Sequence, residues 1–155
     1  MSPVQHERAF TITKFLEGKT RAWGIFEDRF GNVKLHLAVE MYGSWSGDTF
    51  ILSEEFNYED GRQEHREWHV KQGAEGQFTA TCADCIGHAT GNAEGGIIAM
   101  RYRFRLKLKG RVVHVNFFDR LIKIDEQRAV NRAIMSKWGI KLGELSLFFE
   151  KDTAQ

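Results

Sequence analysis

A chain of 155 residues, with 42% hydrophobic and 28% charged residues, has the proportions of one globular domain with a real core. The formal net charge of +1 excludes a global electrostatic pull toward nucleic acid or an anionic surface. One Pro, fifteen Gly, twelve Phe and four Trp lean toward β structure, and no apolar run is long enough for a membrane-spanning helix.

Met1 to Leu16 carries Gln5, His6, Glu7, Arg8 and Lys14 and lacks the apolar stretch of a signal sequence, so a cytoplasmic location is expected. Gln5–Leu16 reads as a short helix or an irregular lead-in, ended by Gly18. Strands are then expected at Thr20–Asp28 and Val33–Tyr42, around a turn at Phe30-Gly31-Asn32. The second places Val33, Leu35, Leu37, Val39 and Met41 on one face and Lys34, His36 and Glu40 on the other.

Asp48–Tyr58 follows the run Gly43-Ser44-Trp45-Ser46-Gly47. Its even positions are Phe50, Leu52, Glu54, Phe56 and Tyr58, which puts Glu54 on the apolar face. A three-residue loop, Glu59-Asp60-Gly61, leads into Gln63–Val70. That loop length sets Glu54 opposite Arg66 and Leu52 opposite Trp68. Gln77–Cys82 continues the meander, and Asp84 joins Phe78 and Ala80 by parity.

The clearest hairpin follows. Met100, Tyr102, Phe104, Leu106 and Leu108 alternate with Arg101, Arg103, Arg105, Lys107 and Lys109, and Lys109-Gly110 suits a two-residue turn. Val113, Val115, Phe117, Asp119 and Leu121 return on the inner face, with Asp119 across from Met100. Gln127–Trp138 fits two patterns. Val130, Ala133, Ile134 and Trp138 have helical spacing, whereas a strand would group Val130, Arg132 and Ile134. Closing a sheet removes its edges, which favours the strand. Gly143–Lys151 ends the chain as a strand through Leu145, Leu147 and Phe149. The expected fold is all-β: one antiparallel meander of nine or ten strands, closed into a lipocalin-like barrel that makes residues 1–155 a single domain.

The residues that stand out are ionisable groups on otherwise apolar faces: Glu54, Arg66, Asp84, Asp119 and, on a strand, Arg132. One reading makes them ion pairs that fix register in a filled barrel. The other makes them the polar anchor of a ligand cavity, with Arg66 or Arg132 holding a carboxylate and Trp68, Tyr102 and Phe104 lining an acyl chain. Catalysis by the buried carboxylates on an apolar substrate is a third, without a nucleophile–base pair to support it.

Cys82 and Cys85 lack the second pair that zinc requires and read as free thiols. His36, His65, His69 and His114 fall on outward faces, so neither a metal site nor a cofactor is called for. The outward cations Arg101, Arg103, Arg105, Lys107 and Lys109 face Phe118, Asn116, His114 and Val112, with no acid on that strand. Compensation from the other neighbouring strand is the simplest expectation. Anionic lipid headgroups or another protein are the alternatives, with nucleic acid last because stacking aromatics are few.

Glu54-x-Phe56-x-Tyr58-x-Asp60-Gly61, followed by Arg66-x-Trp68, resembles a bacterial family of unknown function, DUF3833. The likeness extends through Trp23-Gly24, Asp28-Arg29-x-Gly31, Asp84-x-x-Gly87-x-Ala89-x-Gly91, Asn131-Arg132 and Lys137-x-Gly139, nearly the whole chain. The resemblance implies lipoprotein-like relatives, which carry a leader this sequence lacks, and a context of fatty-acid modification. Phe118-Asp119 stands where that family has two adjacent carboxylates, so a role that needs both is not implied here.

Overall fold

The computed structural model describes residues 9–153. Its one helix, α1 (Ile12–Leu16), starts at Thr11, whose hydroxyl accepts a hydrogen bond from Lys14 N at 3.3 Å. Ile12, Thr13, Phe15 and Leu16 are buried. Gln5 to Arg8, the earlier part of the expected lead-in, lie outside the described residues.

Ten strands follow: β1 (Gly18–Asp28), β2 (Val33–Ser46), β3 (Thr49–Tyr58), β4 (Gln63–Gln72), β5 (Gln77–Thr81), β6 (Cys85–Glu94), β7 (Ile97–Leu108), β8 (Arg111–Lys123), β9 (Arg128–Lys137) and β10 (Ile140–Lys151). Each pairs antiparallel with its chain neighbours, and β1 pairs with β10, so the sheet closes into a barrel. The expected meander is the observed one, and closure leaves no exposed edge.

Alternation fixes which side chains enter the barrel. Glu54 pairs with Arg66 and Leu52 with Trp68, as the loop at Glu59-Asp60-Gly61 dictates. Met100 pairs with Asp119 across the β7–β8 hairpin, whose turn is Lys109-Gly110. Residues 127–138 resolve to a strand rather than a helix.

Several expectations need correction. β2 runs on through Gly43-Ser44-Trp45-Ser46, leaving only Gly47-Asp48 as its turn. Gly43 permits this, because a Cβ there would lie 2.2 Å from Leu16 O and 2.4 Å from Phe50 Cζ. β5 ends at Thr81, before Cys82. β6 is a strand that the sequence pattern does not announce, because its inward positions are small: Ala89 is buried, and Gly91 lies under the Phe78 ring.

The barrel's two ends differ. α1 packs across the end that holds the β2–β3, β4–β5, β6–β7 and β8–β9 turns. Gln72 Nε2 donates to Thr13 Oγ1 at 2.9 Å, and Lys151 Nζ donates to the carbonyls of Phe15 and Glu17. The other end, with the β1–β2, β3–β4, β5–β6, β7–β8 and β9–β10 turns, has no such cover among the described residues.

Candidate functional site

β3 sends in Leu52, Glu54 and Phe56, β4 Arg66, Trp68 and Val70, β7 Met100, Tyr102 and Phe104, and β8 Phe117, Asp119 and Leu121. These side chains line a cavity of about 620 Å³ inside the barrel. Ile12 and Leu16 of α1 form its floor, and Leu106, Lys107 and Leu108 reach its rim at the uncovered end. Its walls are mostly apolar, and this volume lies in the usual range of small-molecule sites.

A compact polar group interrupts those walls. Trp68 Nε1–H donates to Glu54 Oε1 at 3.1 Å, and the Tyr102 hydroxyl donates to Asp119 Oδ2 at 3.2 Å. Asp119 Oδ1 is buried with no hydrogen-bond partner among the described residues. Arg66 faces Glu54, and its guanidinium carbon lies 4.7 Å from the Phe56 ring centroid and 4.6 Å from that of Phe104. The cation is thus flanked by two aromatic faces and attracted by the charge of the facing carboxylate.

Burial governs how these groups titrate. It pushes Glu54 up, against the opposing pull of the Arg66 charge and the Trp68 hydrogen bond. It raises Asp119 to about 7; Glu54 adds to that rise, while Tyr102 and Arg66 resist it. The Tyr102 hydroxyl is raised by burial and then by Asp119, so it stays a donor. Burial works against the Arg66 charge, but Glu54 keeps the guanidinium fully protonated.

The rings form one cluster around this group. Tyr102 stacks on Phe117 at 5.3 Å and meets Trp68 edge-on at 5.2 Å, and Phe104 lies 5.8 Å from Phe117. Of the residues singled out from sequence, Glu54, Arg66, Trp68, Tyr102, Phe104 and Asp119 therefore converge on one cavity.

Asp84, half-exposed in the β5–β6 turn, joins the lining at the rim, with Lys107 Nζ 4.0 Å away. One residue does not join them. Arg132 points outward and pairs with Glu144 at 2.7 Å, in reverse of the expected parity. β9 turns Ala129, Asn131 and Ala133 inward instead. The sequence misleads here because the outer face of β9 holds the larger apolar residues, Val130 and Ile134. Asn131, which lines the cavity and donates to Arg120 O at 3.2 Å, is the site residue that reasoning missed.

The outward cations Arg101, Arg103, Arg105, Lys107 and Lys109 are exposed as expected; Asp84, just before β6, lies 4.0 Å from Lys107, but β6 itself brings no acid to Arg101 or Arg103. It sets Thr90 beside Arg101 and Ile86 beside Arg103. Arg101 lies instead over the Phe118 ring at 4.0 Å, and Arg105 donates to Cys85 O at 3.4 Å.

Cys82 and Cys85 are free thiols, half-buried and buried, and burial pushes Cys82 to about 11. His36, His65 and His69 face outward beside Glu59, Glu55 and Glu67. Among the described residues no three His, Cys, Asp or Glu side chains group as metal ligands, and no helix is long and apolar enough to cross a membrane.

A closed antiparallel barrel with an apolar hollow and a few polar groups in its wall is a lipocalin-like barrel. The solved structure of the S-type phycobiliprotein lyase CPES from Guillardia theta has a similar fold. It superposes with a TM-score of 0.68 at 8% identity, covering 100% of this chain and 95% of that one. The chain belongs to the family described as "Protein of unknown function (DUF3833)", which matches residues 2–151. A search of curated proteins finds no match.

Proposed function

We propose that the chain is one barrel domain that binds a small hydrophobic or acyl ligand in its interior. The observation that carries this reading is the cavity of about 620 Å³, apolar in its walls and polar at Glu54, Arg66, Tyr102 and Asp119. A barrel filled with side chains would leave no such volume. Asp119 adds support, because a carboxyl with an orphaned buried oxygen and a pKa near 7 is a poor structural plug. The similarity to a phycobiliprotein lyase agrees at the level of fold.

In this reading Trp68, Tyr102 and Phe104 line the apolar body of the ligand, and the interior polar groups orient its head. Arg132 is left out, since it faces solvent. The exposed cations of β7 are available to an anionic surface or another protein. The barrel would act without a resident cofactor.

Native mass spectrometry of protein purified without detergent, followed by denaturation, tests the reading. A stoichiometric small molecule, or uptake of an added fatty acid or phospholipid, is the expected result. A spectrum that stays empty after such incubation overturns it.

The pKa of Asp119 near 7 supports a second reading, an enzyme that acts on an apolar substrate with Asp119 or Glu54 as acid or base. It requires Asp119→Asn to bind ligand normally and lose turnover.

A further inference from the structure

Three consecutive turns at the uncovered end form an arc of the rim: β7–β8, β9–β10 and β1–β2. Each exposes apolar residues. Trp138 is 84% exposed, Phe30 75%, Val112 56% and Leu108 51%. Each also carries cations: Lys107, Lys109 and Arg111 on the first, Lys137 and Lys141 on the second, Arg29 and Lys34 on the third.

The two most exposed rings sit beside cations of their own turns. Arg29 lies over the Phe30 ring at 4.7 Å and Lys137 over the Trp138 ring at 4.7 Å. Lys109 and Arg111 make no ion pair among the described residues.

The other mouth turns are different. β3–β4 carries Glu59 and Asp60, β5–β6 carries Asp84, and neither exposes a large apolar side chain. At the α1 end Trp45, Ile97 and Ile124 are exposed, but its turns carry or adjoin Asp48, Glu75, Glu94, Asp125 and Glu126. Among the described residues, exposed apolar tips and an excess of cations coincide on this arc: Lys34, Lys107 and Lys141 lie beside Asp28, Asp84 and Glu144, whereas Lys109 and Arg111 pair with no acid.

Backbone strain marks the same place. Trp138 has φ 52° and Lys109 φ 47°, each followed by a Gly with positive φ. Two-residue hairpin turns of this shape favour Asn, Asp or Gly at the first position. A tryptophan held there is strained and also exposes its ring to water, so neither folding nor solubility explains it.

We propose that this arc docks the barrel, mouth first, on an anionic lipid bilayer surface. Trp138, Phe30 and Leu108 enter the interfacial layer, where amphipathic rings are favoured, while the lysines and arginines meet lipid phosphates. Charge complementarity selects this occupant: the arc offers apolar tips beside cations that outnumber its acids, Asp28 and Glu144, and the surplus of positive charge matches an anionic surface. The proposal stands whether or not the cavity holds a ligand.

Cosedimentation of the full chain with vesicles tests it, comparing phosphatidylcholine alone with an equal mixture of phosphatidylcholine and phosphatidylglycerol. Binding is expected to the mixture and not to phosphatidylcholine alone, and it should weaken as salt is added. Trp138→Asn places a residue suited to the turn, so the fold should hold while affinity falls about tenfold. Reversing Lys107, Lys109 and Arg111 to Glu should abolish binding, and Arg62→Glu on the opposite arc should leave it intact. Failure to bind the anionic vesicles overturns the proposal. So does binding that survives both the Trp138 change and the charge reversal.

Discussion

Tyr102 and Asp119 are diagonal neighbours on β7 and β8, and the Tyr102 hydroxyl donates to Asp119 Oδ2 at 3.2 Å. The other carboxylate oxygen is buried without a hydrogen-bond partner among the described residues. This leaves Asp119 more easily protonated in the fold than in the unfolded chain, where its ordinary value is 3.8.

The consequence is a pH dependence of stability with a definite sign. Between about 4 and 7 the folded protein holds a proton that the unfolded chain has lost, so stability falls as pH rises through this window and levels off above it. Asp119→Asn removes the charge and should flatten that dependence. At pH near 8 it should stabilise the barrel by on the order of 2 kcal/mol. Urea denaturation across the pH range measures it, and an unchanged slope from about 4 to 7 would show that Asp119 is not the group responsible.

Glu54 and Arg66 should behave as a unit. Arg66→Met leaves a buried carboxylate uncompensated and should cost about 3–5 kcal/mol at neutral pH. Adding Glu54→Gln should recover most of that loss. A double-mutant cycle by chemical denaturation reads the coupling, and additive effects would mean that the two do not compensate each other. The recovered double variant is also the protein in which to look for lost ligand uptake with the fold intact.

Closure of the barrel rests on a small residue at the β1–β10 seam. A Cβ on Gly24 would lie 1.8 Å from Ser146 O and 2.8 Å from Ser146 C, both backbone atoms that cannot turn aside. Gly24→Ala should therefore destabilise by about 3 kcal/mol or more, read as a lowered thermal midpoint. Wild-type stability in this variant would refute the close approach of the two strands.

Arg132 offers the contrasting case. Its pair with Glu144 lies on the outer surface, and that carboxylate also accepts from Lys141 at 3.0 Å. Arg132→Ala should change stability by less than about 1 kcal/mol and leave ligand uptake unaltered. Isothermal titration with any ligand found in the barrel decides this, and a large loss of affinity would return Arg132 to the site.

Much of the barrel was legible in the sequence, because a half-buried strand repeats every two residues. Where one face was plainly apolar, as in Met100 through Leu108, parity alone assigned every side chain. Loop length then fixed register, so the facing of Glu54 with Arg66 and of Met100 with Asp119 followed from counting residues across two turns.

Tertiary structure decided the rest. In β6 the inward positions are Ala89 and Gly91, small because the Phe78 ring fills the space, and a strand without large inward residues has no visible alternation. In β9 the inward face is Ala, Asn and Ala while the outer face holds Val130 and Ile134, so composition pointed to the wrong side and carried Arg132 with it. Only the assembled barrel shows that the interior is hollow. Whether ten inward faces fill the space or leave a cavity depends on how far apart closure sets them, and no local pattern of residues encodes that distance.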